Sequence, residues 1–336
     1  MSAGPTGRDL VVVGAGPAGL AVAIAAHQAG LDYEVVEKGV LVNSIFNFPR
    51  QMVFFTTPEL LEIGGLPFVT PYEKPTQPEA LKYYRRVADA YALRLALEEE
   101  VEAIRPAPPG DEGRLRVETR VRGQARVRVT NHVAVATGYY DHPNRLGVPG
   151  EDLPHVSHYY TEPHGYYRKP VVVVGGKNSA AITALELHRA GARVTLVHRR
   201  AVLSDSIKYW IRPDIENRLK EGSIAARFET RVVEIRPEQV VLESAAGRET
   251  VPAQAVFLLT GYHPDAELLR GAGVRLDPDT LIPDHNPETL ETNVGGLFVA
   301  GALASGRMTS RIFIENGRFH GEAIVKAVRA GARKMA

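Results

Sequence analysis

Cysteine is absent from all 336 residues, and that absence removes more chemistry than any other feature of the composition. Disulfides, zinc-thiolate sites, iron–sulfur clusters held by protein thiolates, cysteine nucleophiles and a redox-active cysteine pair are all excluded. Any thiol chemistry has to belong to a ligand. No run of about 20 apolar residues occurs, so no segment reads as a membrane span. The opening MSAGPTGRDL holds no apolar stretch of the kind a secretory leader needs, which gives the expectation of a cytoplasmic protein with no membrane partner. Neither sign of charge is in excess: 40 Lys and Arg stand against 39 Asp and Glu, a formal +1. That balance provides no global field for a polyanion, so nucleic acid is not an expected partner.

What is present is an ordinary soluble composition, 44% hydrophobic and 24% charged, in a chain long enough for two domains. Two segments share one layout: aliphatic β-formers, a glycine-rich turn, an alanine-rich helical stretch ending in Gly, then a second β run with a charged end. They run from Leu10 to Lys38 and from Val171 to Arg200. Each reads as a βαβ unit, and the continuously apolar strands suit parallel sheets covered on both faces. Between them, Arg114 to Thr130 alternates polar and apolar residues about Gly123, which predicts a surface hairpin, followed by a separate buried strand from His132 to Ala136. Val256 to Leu259 predicts the matching strand of the second unit. The tail predicts a strand over Gly296 to Ala300 and an amphipathic helix from about Ser310 to Ala330. The expected fold is α/β, two Rossmann-like dinucleotide-binding domains with the second inserted into the first: residues 1–150, 151–263 and 264–336.

The first glycine turn, Gly14-Ala15-Gly16-Pro17-Ala18-Gly19, follows a strand and opens a helix, and Glu37 lies 23 residues after Gly14. In a dinucleotide site the first glycine makes the tight turn, the second lets backbone N–H groups approach the pyrophosphate, and the third allows close helix–strand packing. The helix N-terminus stabilises phosphate, and the acid accepts hydrogen bonds from ribose hydroxyls. The second turn is a variant. Gly175, Gly176 and Ala180 keep the pattern, with Asn178 and Ser179 opening the helix, but Lys177 occupies the second glycine position. At the end of the next strand the acid is replaced by His198-Arg199-Arg200, two guanidinium groups that suit the 2′-phosphate of NADPH.

Two nested dinucleotide domains, one with an acid and one with arginines, resemble the flavoprotein superfamily of thioredoxin reductases and flavin-containing monooxygenases. More narrowly, VEKGVLVNSIFNFPRQMVFFTTPELLEIG, EALKYYRRVA, GGKNSA, DSIKYWIRP and IFIENGRFHG resemble the bacillithiol disulfide reductase (YpdA-type) family. The resemblance implies tightly held FAD, NADPH as donor, an oxidised low-molecular-weight thiol as acceptor, and a homodimer or homotetramer. It implies FAD contacts at Glu37 and Lys38, at the backbone of Val101, and at Ala136-Thr137-Gly138. Gly301, Ala302 and a helix start near Ile312 and Phe313 would face the isoalloxazine, with Asn43, Ser44 and Phe54 to Thr57, Thr56 among them, forming a wall beside it, although Phe54 and Phe55 read first as ordinary core aromatics. Thr260-Gly261 would serve the second cofactor as Thr137-Gly138 serves the first.

The chain departs from that family where it matters. The family carries a cysteine immediately before the third glycine, and here that residue is Ala18; Ala302 replaces the aspartate of thioredoxin reductases. Either reduced flavin acts on the disulfide without a protein sulfur, or the acceptor is a different small molecule or a small redox protein. A ferredoxin or flavodoxin reductase, a monooxygenase-like enzyme and a sensor that binds without turnover are the other readings. His155, His158 and His164 read as exposed loop histidines, since the monooxygenase signature is missing around them.

Overall fold

A computed structural model describes residues 7–333. The chain forms two compact units: residues up to Asn47, Gln51–His142 and Tyr262 onward make the first, and Phe48–Arg50 with Pro143–Gly261 make the second. In chain order the first begins with β1 (Arg8–Val13), α1 (Pro17–Gln28), β2 (Tyr33–Val36) and α2 (Asn43–Phe46). It continues through α3 (Gln77–Ala90), β3 (Leu95–Ala96), β4 (Glu99–Pro106), β5 (Leu115–Val121) and β6 (Gln124–Val135). The second unit contains β7 (Val156–Ser157), β8 (Pro170–Val174), α4 (Asn178–Arg189), β9 (Arg193–Val197), α5 (Arg212–Lys220) and β10 (Ala225–Arg227). It ends with β11 (Arg231–Arg236), β12 (Gln239–Ser244), β13 (Gly247–Pro252) and β14 (Ala255–Leu258). The chain then returns to the first unit with α6 (Ala266–Gly271), β15 (Leu297–Val299), a tight turn over Gly301–Ser305, α7 (Ile314–Gly317) and α8 (His320–Arg333).

The first unit is built on one sheet in the order β3-β2-β1-β6-β5-β4, with β15 added to β6. β1 is parallel to β2 and β6, and Leu10 to Val13 are fully buried, which is why this stretch is continuously aliphatic. The second unit repeats the plan as the parallel sheet β10-β9-β8-β14-β7, joined by the antiparallel ribbon β11-β12-β13. Both units are Rossmann-like, with the second inserted into the first.

Two expected boundaries change. The hairpin and the buried strand after it are one twelve-residue strand, β6. Its first half pairs antiparallel with β5, and its second half runs parallel with β1 and β15. The pattern changes from alternating to continuous because the strand passes from a half-exposed ribbon into the covered core. The tail helix is also interrupted, so α8 starts at His320. The Asn316 side chain accepts from Phe313 N–H (2.8 Å) and donates to the Arg311 carbonyl (2.9 Å), winding α7 as a separate turn. Gly317 then fits against Ile312 and Gly301, where a Cβ would lie 3.2 and 3.3 Å from their atoms.

Candidate functional site

The first cradle is shaped by two glycines that the fold requires and one that it does not. Gly14 turns the chain off β1 with φ +103°, and a Cβ there would lie 2.7 Å from the Ala136 carbonyl oxygen. Gly19 packs onto Gly14 so closely that a Cβ would sit 1.9 Å from its carbonyl. Gly16 caps α1 with φ −72°, which any residue adopts, and a Cβ there would meet nothing within 4 Å. The space in front of Gly16 is left open, beside the α1 amides of Ala18 and Gly19, which have no intrahelical acceptor. Pro17 at the first helical position gives up a donor that would be idle in any case.

Glu37, at the end of β2, is buried and accepts from Ala15 N–H on one oxygen and from Gly39 N–H on the other, each at 2.8 Å. Burial raises its carboxyl above the ordinary value, against the pull of the two N–H donors. Lys38 pairs with Asp141 at 3.1 Å. Val101 lies at the irregularity in the β4–β5 ladder, two residues after Glu99, whose N–H donates to the Glu37 carbonyl (2.9 Å). Ala136 N–H donates to Val13, and beside it the buried Thr137 hydroxyl has no partner among the described residues. An open glycine, helix-end amides, a ribose-type acid and an orphaned buried hydroxyl fit the adenosine diphosphate half of a dinucleotide.

The Gly301 turn closes the other side of this cradle. Gly301 has φ +66°, and a Cβ on it would be 2.6 Å from the Ala18 methyl. Its N–H donates to Nδ1 of His320 at the start of α8 (3.0 Å), and burial, with His285 nearby, pulls the His320 pKa down and keeps this nitrogen an acceptor. Sequence reasoning assigned His320 no role, although it lies in the IFIENGRFHG segment. Ala302 is half-buried, Ile312 packs partly against the core, and Phe313 is 52% exposed. The helix expected near Ile312 is only the four-residue α7. Asn43 turns its Oδ1 toward Val40 N–H (3.4 Å), Ser44 and Thr56 are half-buried, and Phe54 is buried.

In the second cradle Gly175 takes the place of Gly14, with φ +155° and a virtual Cβ 2.7 Å from the Leu259 carbonyl. Lys177 caps α4 in extended geometry (φ −117°), so a side chain is tolerated there, and it is exposed. Ala180 is buried against Gly175, while Ser179 is exposed. Gly176 is needed for a different reason: the His198 ring lies against it, 2.2 to 2.5 Å from where a Cβ would be. Burial, reinforced by Arg200 and Arg199, lowers the His198 pKa, and its buried Nε2 has no partner among the described residues. Arg199 and Arg200 are exposed and form no ion pair among the described residues. Thr260 differs from Thr137 in donating its hydroxyl to Asn144, which also donates from its backbone N–H to Gly261 (2.9 Å). Asn144, a partner supplied from far away in sequence, left no local signal.

Two of the three loop histidines are not exposed. His155 and His158 flank β7, the edge strand on β14, and the His158 Nε2 lies 3.3 Å from the buried Glu151. The strand draws them in; His164 is exposed, as read.

The family model described as pyridine nucleotide-disulphide oxidoreductase matches residues 11–301. The chain belongs to this family. It is 44% identical to Bacilliredoxin reductase Bdr of Bacillus subtilis (strain 168), over 95% of this chain and 96% of that one. Bacillithiol Disulfide Reductase Bdr (YpdA) from Bacillus cereus matches with a TM-score of 0.93 and 40% identity, over 97% of this chain and 100% of that one. The Staphylococcus aureus structure of the same protein gives 0.90 and 36%, over 97% and 99%. The chain is thus an oxidoreductase of the Bdr (YpdA) type, and the family read from GGKNSA and its companion segments is correct. Among the described residues no helix is long and apolar enough to cross a membrane.

Proposed function

We propose that the chain is an FAD-dependent, NADPH-oxidising reductase that delivers electrons to a small molecule or a small redox protein. One contrast carries the reading: the strand end that presents Glu37 in the first unit presents Arg199 and Arg200 in the second. A buried carboxylate suits the ribose hydroxyls of FAD, whereas exposed guanidinium groups suit the extra phosphate of NADPH. The Gly14–Gly19 turn, Glu37, Thr137 and the Gly301 turn would hold FAD. The backbone of the Gly175–Ala180 turn and the side chains of the two arginines would hold NADPH. The chemistry FAD would supply when held there is two-electron carriage between NADPH and the acceptor. The protein's own part in the donor step is positional and asks for no side-chain acid or base.

The relatives' names point to a low-molecular-weight disulfide or its cognate redox protein as the acceptor. The lack of any cysteine favours a second reading, a one-electron acceptor of the ferredoxin or flavodoxin kind, because no protein thiolate is available for a mixed disulfide. Purified protein is expected to be yellow and to release FAD, not FMN, on denaturation. An anaerobic panel then separates the acceptors: NADPH loss matched by thiol release supports a disulfide, and faster turnover with ferredoxin or flavodoxin supports the alternative. Colourless protein that cannot be loaded with FAD would refute both.

A further inference from the structure

The segment between β9 and α5 is long and largely exposed, yet it is fastened to the second cradle. Leu203 and Ile207 anchor it in the core. Ser204 N–H donates to the Gly176 carbonyl (2.9 Å). The Asn178 amide then grips the segment twice: Nδ2 donates to the Ser206 carbonyl (3.0 Å), and Oδ1 accepts from Lys208 N–H (2.9 Å). Arg212 holds the Ser204 carbonyl from the other side (2.7 Å). These bonds bring the Ser204 and Ser206 hydroxyls to 2.8 Å from each other, next to a Gly176 turn whose other side is the His198 ring, followed by Arg199 and Arg200. Both ends of the Asn178 amide are used on the loop, although its position at the first turn of α4 marks it as a cofactor contact in sequence.

We propose that Asn178 is a positioning residue for donor choice: by clamping the Ser204–Lys208 segment to the Gly176 turn, it makes the two serine hydroxyls part of the recess that takes the 2′-phosphoryl group. This rests on the NADPH reading above. The hydroxyl pair, with one proton left to donate, and the two guanidinium groups that follow His198 in the chain match a dianionic phosphate, and a loop held in place before binding loses less entropy when the phosphate arrives. Untethered, the same serines would have to be ordered by the ligand.

The test titrates FAD-loaded protein with adenosine 2′,5′-bisphosphate and with 5′-AMP, which differ only in the 2′-phosphate. Wild type is expected to prefer the bisphosphate. Asn178→Ala should weaken the bisphosphate by about tenfold and change 5′-AMP less than about twofold, because preorganisation of the 2′-site alone is lost. Hydrogen exchange should show the Lys208 amide, which donates to Asn178, deprotected in this variant. The Ser204→Ala, Ser206→Ala pair should lose the same preference with the Lys208 amide, held by Asn178, still protected. Equal weakening of both ligands by Asn178→Ala, unaltered affinity for both, or unaltered exchange at Lys208 would each overturn the clamp. A wild type with no preference for the bisphosphate would bring down the NADPH reading itself, and the proposal with it.

Discussion

Replacing Glu37 by Gln separates what this residue does for the fold from what it does for the cofactor. The carboxylate receives one N–H on each oxygen, at 2.8 Å, from Ala15 and Gly39. A Gln of the same shape can accept only one of them, which leaves the other facing an NH₂ group, an orphaned buried donor worth about 1–3 kcal/mol. Against this stands the burial of a full charge, and the carboxyl's upward shift shows that burial outweighs the two donors. A carboxyl whose folded pKa lies above its ordinary 4.5 contributes stability that is present below 4.5 and lost as pH rises through the folded value. At neutral pH the ionised Glu37 is therefore a net cost to the cofactor-free protein. Glu37→Gln is expected to leave its thermal midpoint unchanged or slightly raised at pH 7.5, with the advantage over wild type shrinking toward pH 4.5. FAD binding should move the other way: losing a charged acceptor for ribose hydroxyls costs about 1.5–3 kcal/mol, a roughly 10- to 100-fold weaker dissociation constant. Calorimetric melting of FAD-free protein and fluorescence titration with FAD measure the two effects. A cofactor-free variant destabilised by several kcal/mol, or an unaltered FAD affinity, would refute the reasoning.

Arg199→Ala combined with Arg200→Ala should raise KM for NADPH by tenfold or more and leave NADH nearly unaffected, since charge-assisted bonds contribute about 1.5–3 kcal/mol each; equal losses for both donors would contradict the assignment. Ala18→Cys places a sulfur beside Gly301 and should create or raise turnover of bacillithiol disulfide, with flavin bleaching by NADPH unaltered in stopped-flow; rapid disulfide turnover by the wild type would show that no thiol is needed. The lowered His320 pKa means stability that is present above 6.5 and lost as pH falls toward the folded value. The wild-type melting midpoint should therefore fall below pH 6.5, more steeply than that of His320→Asn, which keeps an acceptor for the Gly301 N–H but does not titrate; parallel pH profiles would exclude protonation of His320 as the cause.

The parts legible in sequence are those written in local pattern. Leu10 to Val13 and Val171 to Val174 announce covered parallel strands by being aliphatic without interruption, and the glycine turns and their strand-end charges follow at fixed spacing. The features that escaped depend on what arrives from elsewhere. Nothing in Gln124 to Val135 says that one strand serves an antiparallel ribbon and then a parallel core, because that depends on β1 and β15 lying alongside. The exposure of His155 and His158 was misread because β7 is only two residues long, and its burial comes from β14, about a hundred residues away. The Asn178 clamp and the Asn144 bond to Thr260 are made to backbone atoms, which carry no residue code at all.

The order of the strands along the chain also sets a timetable for biosynthesis. Val133, Ala134 and Val135 of β6 pair with Leu297, Phe298 and Val299, yet the whole second unit is translated in between. At about 5–20 residues per second, an apolar strand edge waits on the order of ten seconds for its partner to emerge, long enough to meet another nascent chain or a chaperone. The inserted unit suffers no such delay, since every strand of its two sheets lies between Val156 and Leu258. The inserted unit can therefore pair all its strands before Leu297 is made, while the β6 edge of the first unit still waits for β15.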